Sequence, residues 1–405
     1  MAIDRRRIEV SVRDLRHVAT DTQDIEVKEA VQKLPASMAE TVSAFCNGPG
    51  GTILLGLSEK NGFTAAPGFR AKPSADALAT ICSDKLTPPI RPEIDVVDFE
   101  GTQLVLAHVH ELPPLEKPCY ITERGVYQGS YVRVADGDRR LTAYEVDRLL
   151  EERSQPTHDL DVVSSATRGD LDRGLVSAVL ARQRELHPSI FGTRGDDEAL
   201  AMLHVIARAE DGAWRPTLAG LLALGVYPQQ FFPRLTVSFT AHPHRDPETG
   251  LISYACAQTM AGSIPMVLAD TLAAVRNNCD GLDGLPLAAV REAIANALVH
   301  RDYAPIARGT AVQVSLSHGR LEVVSPGGLY GTVTSDTLST PGYSSARNQY
   351  LLSLLETVPF SDGYLVENRK AGYRLICAEL ARAGLPAPRA EDHISSFVLT
   401  LPLPT

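Results

Sequence analysis

The sequence lacks any apolar segment long enough to cross a membrane. A transmembrane helix needs about 20 consecutive apolar residues, and the apolar runs of this 405-residue chain are shorter, although 44% of its residues are hydrophobic. Residues 1–7 end in three arginines and lack the apolar core of a signal peptide. We therefore expect a cytoplasmic protein without a membrane partner.

The cysteines show no pairing and no metal-binding pattern. There is no Cys-x-x-Cys motif and no histidine at the spacing of a zinc site. We interpret the six cysteines as small core residues, and a structural zinc site is not expected. They are Cys46, Cys82, Cys119, Cys256, Cys279 and Cys377.

The chain has no excess of positive charge. Its net charge of −10 argues against a protein that coats nucleic acid through bulk charge, because phosphates would be repelled. Residues 1–20 nevertheless hold five arginines against three acidic residues. We therefore expect any nucleic-acid contact to be local, and we assign it to Arg5, Arg6, Arg7 and Lys28.

Length and local composition divide the chain. At 405 residues, two domains are the natural expectation. We predict domains over 1–154 and 226–405, and between them a polar linker and a helical connection over 155–225. Within the second domain, residues 257–277 are predicted to form one long helix. We found no internal repeat.

A helix with a polar face lies in the second domain. Pro286 suits a first helical turn, and residues 288–300 are good helix formers. Glu292, Asn296 and His300 follow at intervals of four and so share one face. A carboxamide can bind Mg²⁺, and a carboxylate one turn away can align a water on a phosphate. A solvated helix face would show the same spacing, so the pattern alone leaves both interpretations open.

The residues after this helix extend the pattern. They read His-Arg-Asp-Tyr at 300–303, then two β-like runs at 312–316 and 321–324, then Ser-Pro-Gly-Gly-Leu at 325–329. Together with Asn-Ala-Leu-Val at 296–299, this segment resembles a divergent branch of the gyrase, heat-shock chaperone, histidine kinase and MutL (GHKL) ATP-binding superfamily, found in bacterial regulators.

The resemblance implies an ATP and Mg²⁺ site. Asn296 would bind the metal, and Glu292 would be the catalytic residue of a slow ATPase. Ser325 takes the place of the aspartate that reads the adenine amino group in that family, so adenine selectivity is not implied. The family also carries a glycine-rich turn before a helix, of which Gly372 remains here, and Lys370 beside it could meet a phosphate. Separately, residues 332–345 are rich in Thr, Ser and Gly, a composition typical of a mobile lid over a nucleotide, and ATP would order this lid. The further nucleotide-binding residues implied are His300, Gly327, Gly328, Lys370 and Gly372.

The first domain carries a second resemblance. Ser-Ala-Phe-Cys-Asn at 43–47 precedes Gly-Gly-Thr-Ile-Leu-Leu-Gly at 50–56, and further motifs follow in order to about residue 153. This order is similar to the Schlafen-type AlbA domain, which implies nucleic-acid binding. In animal Schlafen proteins the fold holds a metal-dependent RNase site, and the matching positions here are Asp21, Glu26 and Glu59. The alternative is that Glu26 and Lys28 form a pair that stabilises the fold.

We therefore predict an α+β protein with an N-terminal AlbA/Schlafen-like domain and a C-terminal GHKL-like α/β sandwich. The first hypothesis for its function is a nucleotide-responsive, nucleic-acid-binding regulator that forms a homo-oligomer. The second is a Schlafen-like metal-dependent endoribonuclease or nuclease. The third is an oligomeric scaffold in which both sites are degenerate.

Overall fold

A computed structural model describes residues 12–13, 15–17, 22, 24–135, 137–151, 153–245, 249, 252–279, 285–342, 344–361, 363–366 and 372–404. The chain forms two compact units, the first comprising Met1–Ser154 with Gly331–Thr334 and the second Gln155–Tyr330 with Ser335–Thr405. Across the described ranges, no helix is both long and apolar enough to span a membrane.

The first unit is built on a four-stranded sheet in the order β1-β2-β7-β6, in which only β1 and β2 run parallel. Its strands are β1 (Ile25–Lys28), β2 (Gly51–Leu55), β3 (Leu57–Ser58), β4 (Thr64–Ala65), β5 (Leu86–Thr87), β6 (Glu93–Phe99), β7 (Thr102–Val109), β8 (Tyr120–Ile121), β9 (Tyr131–Val134) and β10 (Gly137–Arg140). Its helices are α1 (Met38–Asn47), α2 (Ala71–Asp84), α3 (Val126–Gly129) and α4 (Ala143–Glu151).

The glycines between α1 and β2 have a packing reason. Gly50 has a φ of +84°, which L side chains rarely adopt. A Cβ on Gly51 would lie 2.3 Å from the ring of Phe45, so only glycine lets α1 pack this closely on the strand that follows. Strand β2 is buried on both faces, as its apolar run predicts.

The second unit contains a six-stranded sheet in the order β14-β13-β15-β16-β20-β19, in which only β13 and β15 run parallel. The strands of this unit are β11 (Ile206–Arg208), β12 (Trp214–Pro216), β13 (Val237–Arg245), β14 (Ile252–Met260), β15 (Val312–Ser317), β16 (Arg320–Pro326), β17 (Pro359–Phe360), β18 (Gly363–Tyr364), β19 (Arg389–His393) and β20 (Ser396–Pro402). The helices are α5 (Arg173–Leu186), α6 (Pro188–Phe191), α7 (Asp196–Met202), α8 (Leu218–Leu224), α9 (Ile264–Asn277), α10 (Leu287–His300), α11 (Gln349–Leu355) and α12 (Gly372–Arg382).

One hydrophobic core runs through this unit, from Val163 to Leu403. Helix α9 lies against β13 and β14, and α10 lies against β15 and β16. Every residue of α8 is buried, so residues 155–225, predicted as a connection, contribute to the same core as the sheet. Helices and sheets in both units confirm the predicted α+β class.

The predicted helix over 257–277 is wrong in its first part. Residues up to Met260 belong to β14, Gly262 has a φ of +126°, and the helix begins only at Ile264. Ala257 favours helix by intrinsic propensity, but the pairing of residues 257–260 with β13 outweighs that preference.

Candidate functional site

Helix α10 brings the predicted carboxamide and carboxylate together. Glu292 and Asn296 are both partly exposed on one face. The side-chain Nδ2 of Asn296 donates a hydrogen bond to Oε1 of Glu292 over 3.3 Å. The carboxamide oxygen of Asn296 therefore lies on the other side of its amide group, away from the bond to Glu292, and oxygen is the ligand type that Mg²⁺ prefers. The donor set on this face fits a magnesium ion.

The start of α12 lies beside the same carboxamide. A Cβ on Gly372 would be 3.9 Å from Nδ2 of Asn296, and the helix that begins there has eleven residues. Its first turn reads Gly-Tyr-Arg-Leu and carries no carboxylate. The unpaired N–H groups and the dipole of a helix start attract phosphate. Lys370, the other residue predicted here, lies outside the described residues.

His300 lies at the C-terminal end of α10 and is neutral at pH 7. Burial lowers its pKa to about 4, and the positive charge of Arg347 acts in the same direction. Part of the residue is still accessible to solvent, so the neutral ring offers one donor and one acceptor nitrogen. The structure thus places His300 on the predicted face as a polar group without charge.

Around Ser325, Gly327 and Gly328 the packing is close. The Ser325 hydroxyl is buried and donates to the carbonyl oxygen of Ala297 over 3.0 Å. Gly327 has a φ of +89°, and a Cβ there would lie 2.0 Å from a guanidinium nitrogen of Arg347. A Cβ on Gly328 would lie 2.5 Å from the carbonyl oxygen of His393. These glycines have a structural reason that is independent of any nucleotide.

The His-Arg-Asp-Tyr motif shapes the turn that follows α10. Arg301 is buried and donates to the carbonyl oxygens of Ala307 and Thr310 over 3.1 and 2.8 Å. The Tyr303 hydroxyl donates to the Leu298 carbonyl over 2.8 Å. These contacts satisfy carbonyls that a helix end and a loop would otherwise leave buried without donors. Arg301 and Tyr303 are therefore part of the fold, whereas the histidine of the motif lies on the candidate face.

Sequence reasoning missed two residues that hold this region together. Nδ2 of Asn348 donates to the carbonyl oxygens of Val299 and Arg301, both over 2.8 Å, and so caps the end of α10. Arg347 donates to the Gly328 carbonyl over 2.8 Å. The available signal was their position, since the pair directly precedes α11.

Asp159, a buried carboxylate from the predicted polar linker, binds the start of α11. Oδ2 of Asp159 accepts hydrogen bonds from the backbone N–H groups of Tyr350 and Leu351 over 2.9 and 3.0 Å, at the start of α11. Burial raises the pKa of Asp159, and the two N–H groups oppose that shift. The linker therefore supplies a helix cap to the second unit.

In the first unit, Glu26 is held by two cations. It is 4% exposed, and its carboxylate lies 2.7 Å from the Arg133 guanidinium and 2.5 Å from the Lys28 ammonium. Arg133 also pairs with Asp138 over 3.2 Å. Burial alone would lower the pKa of Arg133, but the Glu26 and Asp138 carboxylates outweigh it and raise that pKa. These contacts support the fold-stabilising interpretation of Glu26 and Lys28.

Of the other site residues predicted for the first unit, the structure describes Glu59 alone. Glu59 is exposed and begins a short 3-10 turn, Glu59–Asn61. Asp21 and the three arginines Arg5, Arg6 and Arg7 lie outside the described residues. In the part of the chain that the structure describes, no group of three or more His, Cys, Asp or Glu side chains could hold a metal ion. The nuclease alternative stays a prediction.

Comparison with known proteins identifies the class of each part. Residues 21–142 match the family "Schlafen, AlbA_2", and residues 309–401 match "Putative ATP-dependent DNA helicase recG C-terminal", an ATPase-type (HATPase) family. These matches confirm both resemblances stated from the sequence: an AlbA/Schlafen-type domain is joined to a domain of the ATPase type. The second match begins after α10, so it does not include Glu292 or Asn296.

Two solved structures are similar to the chain. The DIP2311 protein from Corynebacterium diphtheriae is 20% identical, with 99% of this chain and 70% of that one covered and a TM-score of 0.44. The "N-terminal Domain of Putative ATP-dependent DNA Helicase RecG-related Protein" from Nitrosomonas europaea is 29% identical, with 32% and 90% covered and a TM-score of 0.24. No curated protein matches the chain.

Proposed function

We propose that this protein is a nucleotide-responsive regulator that binds nucleic acid through its first unit and Mg²⁺–ATP through its second. The observation that carries the proposal is the position of Asn296 and Glu292 beside the start of α12. A metal-binding carboxamide, a carboxylate and a helix start are what a nucleotide phosphate chain needs. The two family matches support the pairing of functions.

Each residue of the candidate site has a chemical role in this proposal. Asn296 would hold Mg²⁺ through its carboxamide oxygen, and the backbone N–H groups at the start of α12 would receive a phosphate. The metal, when bound, neutralises phosphate charge. Glu292 would orient a water and accept its proton, and its hydrogen bond from Asn296 keeps it on the phosphate side of α10.

The base end of the site differs from the phosphate end. Ser325 already donates its hydroxyl proton to Ala297 and carries no negative charge, so it can accept from a base only weakly. We therefore propose that the phosphates and the metal supply most of the affinity. Turnover is slow in this proposal, because a loosely held base leaves the phosphate chain less precisely placed.

The proposed response is tested by nucleic-acid affinity with and without Mg²⁺–ATP. Fluorescence anisotropy of labelled single-stranded DNA and of structured RNA should show an affinity that changes several-fold when Mg²⁺–ATP is added. Asn296→Ala should abolish the change and leave the nucleotide-free affinity as it was. Gln313→Ala removes another exposed carboxamide of the second unit and serves as the matched control. An unchanged affinity in the wild type would contradict the proposed coupling.

The proposed contact is tested by salt dependence. The chain is acidic overall, so binding must depend on a few phosphate contacts and weaken steeply with salt. Replacing Arg5, Arg6 and Arg7 together by glutamine should reduce the slope of log affinity against log salt by about 3, roughly one per phosphate contact. Binding with the same slope after the triple replacement would place the interface elsewhere.

A further inference from the structure

Strand β14 forms one edge of the six-stranded sheet, and β13 is its neighbour on the inner side. Among the residues that the structure describes, no strand lies on its outer side. Five residues along the strand show how open it is: Tyr254, Ala255, Ala257, Gln258 and Thr259 are all exposed. The strand therefore offers a nine-residue edge whose two faces are largely in contact with solvent.

This edge lacks the charged side chains that the other edges of the two largest described sheets carry. Strand β14 reads Ile-Ser-Tyr-Ala-Cys-Ala-Gln-Thr-Met and contains no charged residue and no proline. The opposite edge, β19, reads Arg-Ala-Glu-Asp-His, and the edges of the first sheet read Ile-Glu-Val-Lys and Glu-Ile-Asp-Val-Val-Asp-Phe. Charged side chains on an edge prevent pairing with another strand. Of these four edges, β14 is the one whose sequence permits it.

We propose that β14 is the interface of a homodimer, in which it pairs antiparallel with β14 of a second copy around a two-fold axis at Cys256. Such a pair satisfies the outward backbone N–H and C=O groups of both copies and joins the two sheets into one. A two-fold axis requires each residue to face its own symmetry partner, so the strand must complement itself.

The sequence of β14 complements itself in this register. Cys256 faces Cys256, Ala255 faces Ala257, Tyr254 faces Gln258, and Ser253 faces Thr259. Small residues therefore oppose small ones, a hydroxyl opposes a hydroxyl, and a ring opposes a long carboxamide. Because the strand is neutral, two copies of a chain with a net charge of −10 can approach here without direct repulsion.

Helix α9 provides further surface beside this edge. It packs against β13 and β14, and it exposes Met266, Ala269 and Ala273 at helical spacing, with Met266 46% exposed. Asp270 and Arg276 are exposed on the same helix and carry opposite charges. When two sheets join at β14, the two copies of α9 run antiparallel next to this seam, where small side chains permit close approach.

Oxidative cross-linking of Cys256 tests the register. Residues that face each other in an antiparallel pair have Cα atoms about 4.5–5.5 Å apart, within the range of a disulfide. Diamide should therefore join two thiols as one disulfide, while diamide itself takes up the two electrons and two protons. We expect a covalent dimer of the full-length protein that Cys256→Ser abolishes. Cys279→Ser and Cys377→Ser, which remove the other partly exposed thiols, should retain it.

Sedimentation of the full-length protein tests dimer formation without a cross-linking reagent. Ala257→Lys places a charge on the exposed edge and should raise the dimer dissociation constant at least about tenfold, close to 1.4 kcal/mol. Ala381→Lys makes the same substitution at an exposed position of α12 and should leave the constant unchanged. Circular dichroism checks that both variants are folded. A wild-type monomer at about 100 µM, a dimer insensitive to Ala257→Lys, or cross-linking that survives Cys256→Ser would each overturn the proposal.

Discussion

Replacing Glu26 by glutamine should destabilise the first unit substantially. The substitution keeps the shape of the side chain but removes the charge that faces Arg133, whose side chain is 2% exposed. Removing one partner of a buried ion pair typically costs about 3–5 kcal/mol, because the other charge stays buried. Arg133 keeps Asp138 at 3.2 Å and donates to the Thr22 carbonyl over 3.3 Å. We therefore expect a loss of about 3 kcal/mol, at the lower end of that range.

Native-state hydrogen exchange is the appropriate assay for this change. The chain has two compact units, so one global unfolding transition does not report on the first unit alone. The amides of β1 and β2 should exchange about 100-fold faster in Glu26→Gln, since 1.4 kcal/mol corresponds to a factor of ten. The amides of β15 and β16 in the second unit are the internal control and should not change.

Two further variants separate the ion pair from other effects of the substitution. Lys28→Met should cost less than about 1 kcal/mol, because the Lys28 side chain is 29% exposed and water screens its charge. Glu26→Gln combined with Arg133→Met should cost less than the two single substitutions added together, since both remove the same ion pair. Equal exchange in the wild type and in Glu26→Gln would refute a stabilising role. It would then favour Glu26 as a site residue, as the nuclease alternative requires.

Three further predictions concern the second unit. Its unfolding in urea can be followed by the fluorescence of Trp214, the single tryptophan of the chain. The pKa of His300 is about 4 in the folded protein, below its value in the unfolded chain, so the unfolded chain binds more protons as the pH falls. The free energy of unfolding should therefore decrease by roughly 2–3 kcal/mol from pH 7 to pH 4. The decrease should be smaller in His300→Gln. Gly327→Ala should destabilise this unit by more than about 2 kcal/mol, because a Cβ at φ +89° would meet Arg347. Unchanged stability would contradict close packing of Gly327 against Arg347. Glu292→Gln should abolish any ATP turnover and retain binding, and equal turnover would exclude Glu292 as the residue that activates water.

The sequence predicted the elements whose periodicity and flanking residues agree. Helix α10 and strands β15 and β16 lie close to where apolar spacing places them, because local propensity and burial favour the same state there. Residues 257–260 of β14 are predicted as the start of a helix, and only the pairing with β13 decides otherwise. An edge strand that is exposed on both faces shows no alternation of apolar and polar residues, so its sequence gave no strand signal.

The candidate site was predictable to the extent that its residues share one helix. Glu292, Asn296 and His300 follow from spacing alone, and the structure places them on one face of α10. The contact between Gly372 and Asn296 depends on tertiary packing and has no local signal. The same holds for Arg133, which lies more than 100 residues from Glu26 in the chain. Ion pairs between distant elements are set by the fold, whereas helix faces are set by the sequence.

The most direct test of the account is calorimetric titration of the full-length protein with ATP in the presence of Mg²⁺. We predict binding with a dissociation constant below about 1 mM that is lost when the metal is chelated. Asn296→Ala should weaken binding by about 1–3 kcal/mol, the usual cost of losing a contact to a charged group, and Gln313→Ala should not. Absence of binding at millimolar ATP, or equal affinity in the wild type and Asn296→Ala, would contradict a nucleotide site on α10.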